Sequence, residues 1–435
     1  MKRSWEQMMK LKHVIIGVLM CVLSCVPVLS LKGANECAGE VAEQPHTTIS
    51  LLAVPPYEAH IWTIYGHAAV RVVDSDGYDR VYNWGVFDFD KPGFIRRFVA
   101  GTSTDYMLAE QPTDEYIYSY ASLGCDVYEL TLNLTDEEAA RFLKLVEENL
   151  KPENRFYRYN FVFDNCATRP ILLLEQALNG KLMLPDVPQT TRRAMIDRSS
   201  TQRPWLKFGT DMVLGRSADT PVGAHDQLFL PLYMKDIVKA SQIMDASGSL
   251  RAAVSGERIY PKLGEQEQIK ATPWPLQPLT AAVLLLLITL IGAATARGKA
   301  YFMRTWGAIV LAVMGLSGCL IFFLTVISLH PLTAPNWTLA VLHPFHLLVA
   351  LPLLLFWAPS RVSRFYHLAN IIVQILFLLI CSWATAQHFH PALYLISVTL
   401  LVISLWAFRY GKLISVSSPK RRRKRTAPPS NTQKA

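Results

Sequence analysis

The residues best suited to chemistry in this chain are a histidine and a cysteine about 100 positions apart. His67 stands in YGHAAVRVVD (65–74) and Cys166 in YNFVFDNCATRPILLLE (159–175). A thiol attacks only as the thiolate, and its pKa falls beside a histidine or at a helix N-terminus. Cys166 follows Asp164 and Asn165, both residue types that cap helices, and precedes an apolar helical pattern. Free N–H groups at such a junction would steady a negative sulfur and could hold an oxyanion. Pro170 cannot sit comfortably deep in a helix. Either the helix starts near Pro170, with Cys166 in the preceding turn, or its first turn is distorted.

His67 is the candidate base, and Gly66, Ala68 and Ala69 leave open space around its ring. His46, His60 and His225 lack a comparable strand setting. On the return strand Asn83 is placed to orient the imidazole, whereas Tyr82 reads as a packing residue. Asp164 and Asn165 either line a substrate site or only cap the helix. Arg169, one turn beyond the thiol, either binds a phosphate or forms an exposed ion pair. By themselves, a strand histidine and a helix-start cysteine fit an inert buried pair as well as a catalytic one.

The elements that must position these residues can be read from periodicity. TISLLAVPP (48–56) and HAAVRVVD (67–74) have strand character. SDGYD (75–79) supplies a hairpin turn, and RVYNWGVFDF (80–89) is the aromatic return strand. CDVYELTLNL (125–134) and YRYNFVF (157–163) are further strands. TDEEAARFLKLVEENLK (135–151) is a helix opened by a Thr135/Glu138 capping box. ATRPILLLEQALNGK (167–181) is a helix with Asn179-Gly180 suited to a left-handed stop. Strands with segregated helices predict an α+β domain. WLKFGTDMVLG (205–215) and DQLFLPLYM (226–234) could lie on a membrane surface, cover the site or simply pack at the domain edge.

Compartment follows from the two ends of the chain. Residues 1–34 carry a basic start and an apolar core, the pattern of a signal peptide or an N-terminal anchor. Five apolar stretches near 276–296, 306–329, 337–357, 367–386 and 391–408 are each close to the ~20 residues a helix needs to cross a bilayer. Export of the first domain puts Arg297, Lys299, Arg304, Arg361, Arg364 and the tail KRRRKR (420–425) on the cytoplasmic side, while the intervening loops lack Lys and Arg. The net charge of +9 therefore reads as an orientation signal and not as a nucleic-acid footprint. The expected layout is an exported domain at 35–260, a linker at 261–275, five transmembrane helices at 276–410 and a disordered basic tail at 411–435. Cys37 and Cys125 could form a disulfide, leaving Cys166 free. His330, His343, His346, His388 and His390 all fall near the outer membrane face, where a head-group or metal site is conceivable. No HExxH, G-x-S-x-G, P-loop, dinucleotide fingerprint or CxxC is present, so no cofactor and no metal are expected.

GHAAVRVVD, VYNWGVFDFD, DYML (105–108), NFVFDNCATR, WLKFGTDMVLG and FLPLYM, in that order, resemble the exported domain of the Lnb family of lipoprotein N-acyltransferases. The resemblance implies a circularly permuted papain-like (NlpC/P60-like) exported domain, with the histidine strand preceding the cysteine helix, followed by an all-α bundle of five membrane helices. It implies a phospholipid acyl donor, a diacylglyceryl-cysteine lipoprotein acceptor, and catalysis by His67 and Cys166 at the periplasmic side of the bacterial inner membrane. A wall-peptide amidase using the same pair, or a non-catalytic membrane scaffold, would share much of this pattern.

Overall fold

The structure, a computed structural model, describes residues 47–57, 63–74, 76–266, 270–295, 300–355 and 361–410. The expectations for the signal segment, Cys37, His46, His60 and the basic tail lie outside the described residues.

Runs of alternating apolar residues fold as β1 (Thr48–Val54), β2 (His67–Val73) and β3 (Asp79–Val86), with Gly77 at φ 80° in the turn between the last two. Helix α1 (Phe94–Val99) then leads to β4 (Tyr106–Pro112), α2 (Thr113–Ser122) and β5 (Val127–Leu132). Helix α3 (Asp136–Leu150) begins with the expected capping box, each of Thr135 and Glu138 bonding the other's backbone. It is followed by β6 (Phe156–Tyr157), α4 (Thr168–Ala177) and β7 (Gly180–Met183). Helices α5 (Arg192–Ser199), α6 (Pro204–Val213) and α7 (Pro231–Lys239) precede β8 (Gln242–Asp245), β9 (Leu250–Ala252) and β10 (Val254–Tyr260).

Seven strands make one sheet in the order β10-β5-β1-β2-β3-β4-β6, every pairing antiparallel. Its two faces are filled separately. Ala68, Val70, Tyr82, Trp84 and Leu108 pack against Phe142 of α3, Ile171 and Leu174 of α4, and Met234 of α7. On the other face Leu52, Val54, Ala69 and Val81 pack against Tyr116 of α2 and Cys125. These segregated layers make the domain α+β.

Two local expectations change. The strand expected at 157–163 ends at Tyr157, because Asn160 Oδ1 accepts from the backbone N–H of Val162 and Phe163 at 3.1 and 3.0 Å. That turn takes the chain out of the sheet. Gly180 is not a left-handed stop. It pairs with Asp245 in a three-stranded sheet, where a Cβ would stand 1.9 Å from the Met244 carbonyl oxygen.

Among the described residues, the C-terminal part holds four helices long and apolar enough to span a membrane: Pro278–Thr295, Tyr301–Ile327, Arg361–Ile380 and Pro391–Tyr410. Their outward leucines and isoleucines stay exposed in the chain by itself, as lipid-facing residues do. The stretch expected as a third span is interrupted. It runs through 3-10 turns at Trp337–Ala340 and Pro344–His346 before the helix Leu347–Leu355. Pro344 lacks the N–H that the Ala340 carbonyl would accept from in a helix, and Gln374 Nε2 donates to that carbonyl at 3.3 Å, while His346 Nε2 donates to the Val341 carbonyl at 2.8 Å. Non-helical backbone at membrane depth survives only where such internal partners exist.

The α6 segment WLKFGTDMVLG is the seat of the first domain on these helices. Phe208 and Met212 share an apolar cluster with Val310, Val341 and Phe389. The Asn336 amide donates to the Met212 carbonyl, and the Gly215 N–H to the Leu332 carbonyl. Beneath them Arg193 is buried between Asp211 and Asp219.

Candidate active site

His67 is the first residue of β2, and the chain reaches it through Gly66 at φ 77°. A Cβ on Gly66 would stand 2.5 Å from the Val54 carbonyl oxygen. Gly66 thus sets the close approach of two strands; it does not simply clear space around the ring. Asn83 on β3 faces the same side of the sheet as His67, and its Oδ1 lies 2.6 Å from His67 Nε2. The amide oxygen can only accept, so Nε2 carries the proton and Nδ1 is left for the sulfur.

Cys166 arrives from the opposite direction. Helix α4 starts at Thr168, with Pro170 in its first turn and Cys166 in the turn before it. That is the first of the two arrangements Pro170 allowed. The turn is held by Asn165, whose Oδ1 accepts from the N–H groups of Ala167 and Thr168 at 2.8 and 2.9 Å. Its amide nitrogen donates to the Phe161 and Phe229 carbonyls at 2.7 and 2.8 Å. Buried and fully bonded within the protein, Asn165 shapes the thiol turn.

The structure brings His67 and Cys166 into hydrogen-bonding contact, with Cys166 only 9% exposed. Burial alone would lower the His67 pKa. The Cys166 charge and hydrogen bonds to Cys166 and Asn83 outweigh it, and the imidazole pKa is raised. Burial alone would raise the Cys166 pKa. The His67 charge, its hydrogen bond and the N–H groups of Ala68 and Cys166 outweigh it, and the thiol pKa is lowered. Opposite shifts in two touching groups favour a thiolate–imidazolium pair.

The surroundings are aromatic. The His67 and Tyr120 rings stack with centroids 6.0 Å apart. Burial foremost, with the nearby Cys166 charge contributing, holds the Tyr116, Tyr120, Tyr157 and Tyr159 phenols well above the ordinary tyrosine range. The Tyr157 hydroxyl is buried without a hydrogen-bond partner. Gly85, the bulge residue of β3 at φ 89°, lies against the nucleophile. A Cβ there would be 3.9 Å from both Cys166 Cβ and the Tyr157 hydroxyl oxygen, and 3.8 Å from the Tyr159 ring. Nothing in the residue types of Gly85 and these tyrosines sets them apart as site residues in the sequence. The position of the Gly in VYNWG was the available signal, since a glycine inside a strand marks a bulge or a close approach.

Asp164 and Arg169 satisfy one another, with Arg169 Nε 2.5 Å and a second guanidinium nitrogen 3.0 Å from the carboxylate oxygens. The guanidinium also lies 3.6 Å from the Tyr157 ring centroid. His225 sits exposed beside Glu175, away from the pair. The outer-face histidines do not converge. His330 Nε2 is 2.6 Å from the Phe98 carbonyl oxygen, while His343 and His346 stack on one another at 3.8 Å. Among the described residues the group spaced to hold a cation is Asp197, Asp211 and His388, and Lys207 already bridges its two carboxylates.

Against this geometry two family models match. The Lnb N-terminal periplasmic domain matches residues 44–198, and the Lnb transmembrane domain matches residues 270–412. The two matches lie in the family's order and together cover well over half of the chain. The chain belongs to the Lnb family. His67, Asn83 and Cys166 all fall in the Lnb periplasmic match, and the apolar helices in the transmembrane one. Lnb membership makes this a multi-pass bacterial membrane protein with a periplasmic domain and a lipoprotein-modifying role. The seat helix α6 lies between the two matches. No curated protein and no solved structure matches the chain.

Proposed function

We propose that this Lnb chain moves a fatty acyl group from a phospholipid, through a thioester on Cys166, to the N-terminal amine of a diacylglyceryl-cysteine lipoprotein at the bacterial inner membrane. The observation that carries the reading is the Cys166–His67–Asn83 line, built on a domain seated directly on membrane helices. Histidine before cysteine, on strand and helix start, is also the order expected of a circularly permuted papain-like domain.

The Cys166 thiolate attacks the ester carbonyl of the donor and forms a C–S bond. The oxyanion is met by the Cys166 N–H and the unpartnered Tyr157 hydroxyl. As the ester C–O bond breaks, His67 gives its proton to the departing lysophospholipid oxygen. The acyl thioester remains, and neutral His67 becomes the base for the second half. The lipoprotein amine attacks the thioester carbonyl, His67 takes the amine proton, and the C–S bond breaks to release the amide and restore the ion pair. The aromatic surround keeps water from the thioester. Asp164 and Arg169 hold Tyr157 from behind in this scheme, and no cofactor or metal takes part.

The test is mass spectrometry of Cys166 after incubating the membrane-embedded protein with phospholipid. The reading expects an acyl adduct, lost in His67→Ala and moved to a stable ester or lost in Cys166→Ser. Wall-peptide cleavage without a lipid adduct would favour the amidase. Full cellular function in Cys166→Ser would favour a scaffold.

A further inference from the structure

Helix α1 and the turn before it turn apolar side chains outward. Phe89, Ile95 and Phe98 are 50%, 60% and 41% exposed, and Ile95 and Phe98 share a helix face three residues apart. The helix is fastened at a definite height. The Ser328 hydroxyl donates to the Val99 carbonyl at 2.9 Å, and the Leu329 N–H donates to the Ala100 carbonyl at 2.9 Å. His330 Nε2 donates to the Phe98 carbonyl at 2.6 Å. Gly101 closes the contact, since a Cβ there would stand 2.8 Å from the His330 nitrogen. Residues 328–330 directly follow the span Tyr301–Ile327, so α1 lies where that span leaves the bilayer. Exposed Trp274, Trp337 and Trp383 lie at the same ends of the other membrane segments, an aromatic belt of the kind found at a membrane interface.

We propose that α1 is a lipid-docking helix whose Ile95 and Phe98 lie among the phospholipids of the periplasmic leaflet. The exposed apolar face continues the lipid-facing surface of Val326, Ile327 and Leu329. The charges agree with this occupant. Asp105 draws Lys91 and Arg97 back onto the domain at 2.6 and 2.7 Å, while Arg96 stays exposed beside Ile95, at the level of lipid phosphates. From the docked face a row of rings leads inward. Phe98 stacks on Phe94 at 6.1 Å, Phe94 packs on Tyr106 at 5.9 Å, and Tyr106 stacks on Tyr159 at 4.3 Å, beside Gly85 and Cys166. This row is an apolar wall for an acyl chain on its way to the thiol, a role that rests on the acyl-transfer reading, whereas the docking does not.

The test uses the full chain in phosphatidylglycerol/phosphatidylethanolamine bilayers. Ile95→Cys, with Cys37→Ser and Cys166→Ser, carries a polarity-sensitive fluorophore, and the protein lacking Ile95→Cys is the blank. Docking expects quenching by spin-labelled phospholipid and protection from aqueous iodide; quenching by iodide alone overturns it. Ile95→Glu with Phe98→Glu is then compared with the parent for acylation of Cys166 by vesicle phospholipid and by soluble p-nitrophenyl acetate. The wall expects at least a tenfold loss with phospholipid and an unchanged rate with acetate. Equal losses with both donors would mean that the helix merely props the fold, and would overturn it. A parent chain that neither donor acylates refutes the acyl-transfer reading, while the fluorophore still decides the docking.

Discussion

At the residue scale the acyl-transfer reading turns on a buried thiol in hydrogen-bonding contact with an imidazole. The thiol pKa is lowered and the imidazole pKa raised, and both shifts favour the ion pair that the proposed attack needs. Thioester formation should rise with pH as Cys166 ionises, hold a plateau, then fall as His67 loses the proton owed to the leaving group. Single-turnover acylation across the pH range checks this. Asn83 accepts from Nε2–H and is among the groups that raise the His67 pKa. Asn83→Ala should shift the descending limb to lower pH. A hydrogen bond to a charged group contributes about 1.5–3 kcal/mol, so the rate should also drop by roughly tenfold to a hundredfold. An unmoved limb would show that Asn83 does not act through the imidazole. His67, Asn83 and Cys166 were legible because their residue types and flanks announce a task. Tyr157 and Tyr159 were not, because a tyrosine near a strand reads as packing until a neighbour shows what its hydroxyl faces.

At the element scale the positioning depends on tight backbone approaches. Gly66→Ala would meet the Val54 carbonyl at 2.5 Å in a left-handed conformation. Such strain costs on the order of 1–3 kcal/mol, and its relief would move His67. Acylation should therefore fall further than the thermal midpoint alone explains, as parallel melting and activity measurements would reveal. The regular elements were readable from alternation and capping, down to the Thr135–Glu138 box. The irregular ones were not. The Asn160 turn cut short an aromatic strand, Gly180 served a strand pairing instead of a cap, and the third apolar stretch broke at Pro344. Each departure hangs on a long-range partner that the local pattern does not contain.

At the scale of the whole molecule the topology makes a direct prediction. A membrane-impermeant maleimide applied to spheroplasts should label Ala334→Cys, exposed on the outer loop, and should spare Arg361→Cys until the membrane is opened. The inverse result would turn the site toward the cytoplasm. Hydropathy and the placement of Lys and Arg put the first domain on the periplasmic side, in agreement with the family match, and the labelling measures the side of each loop. The seat of the first domain was not readable, because WLKFGTDMVLG suits a membrane surface, a lid or a domain edge equally well.

That seat has a consequence for the working enzyme. Phe208 and Met212 are embedded among the membrane helices, and Arg193 is locked beneath them. The head of the protein is therefore fixed on its spans, and its thiol rides at an altitude dictated by how they sit in lipid. Thickening or thinning the host bilayer should raise or sink the reaction centre relative to the ester layer, as mismatched spans adjust. Turnover in vesicles of graded chain length would then peak at one thickness, making the membrane itself the gauge that decides which bonds come within reach.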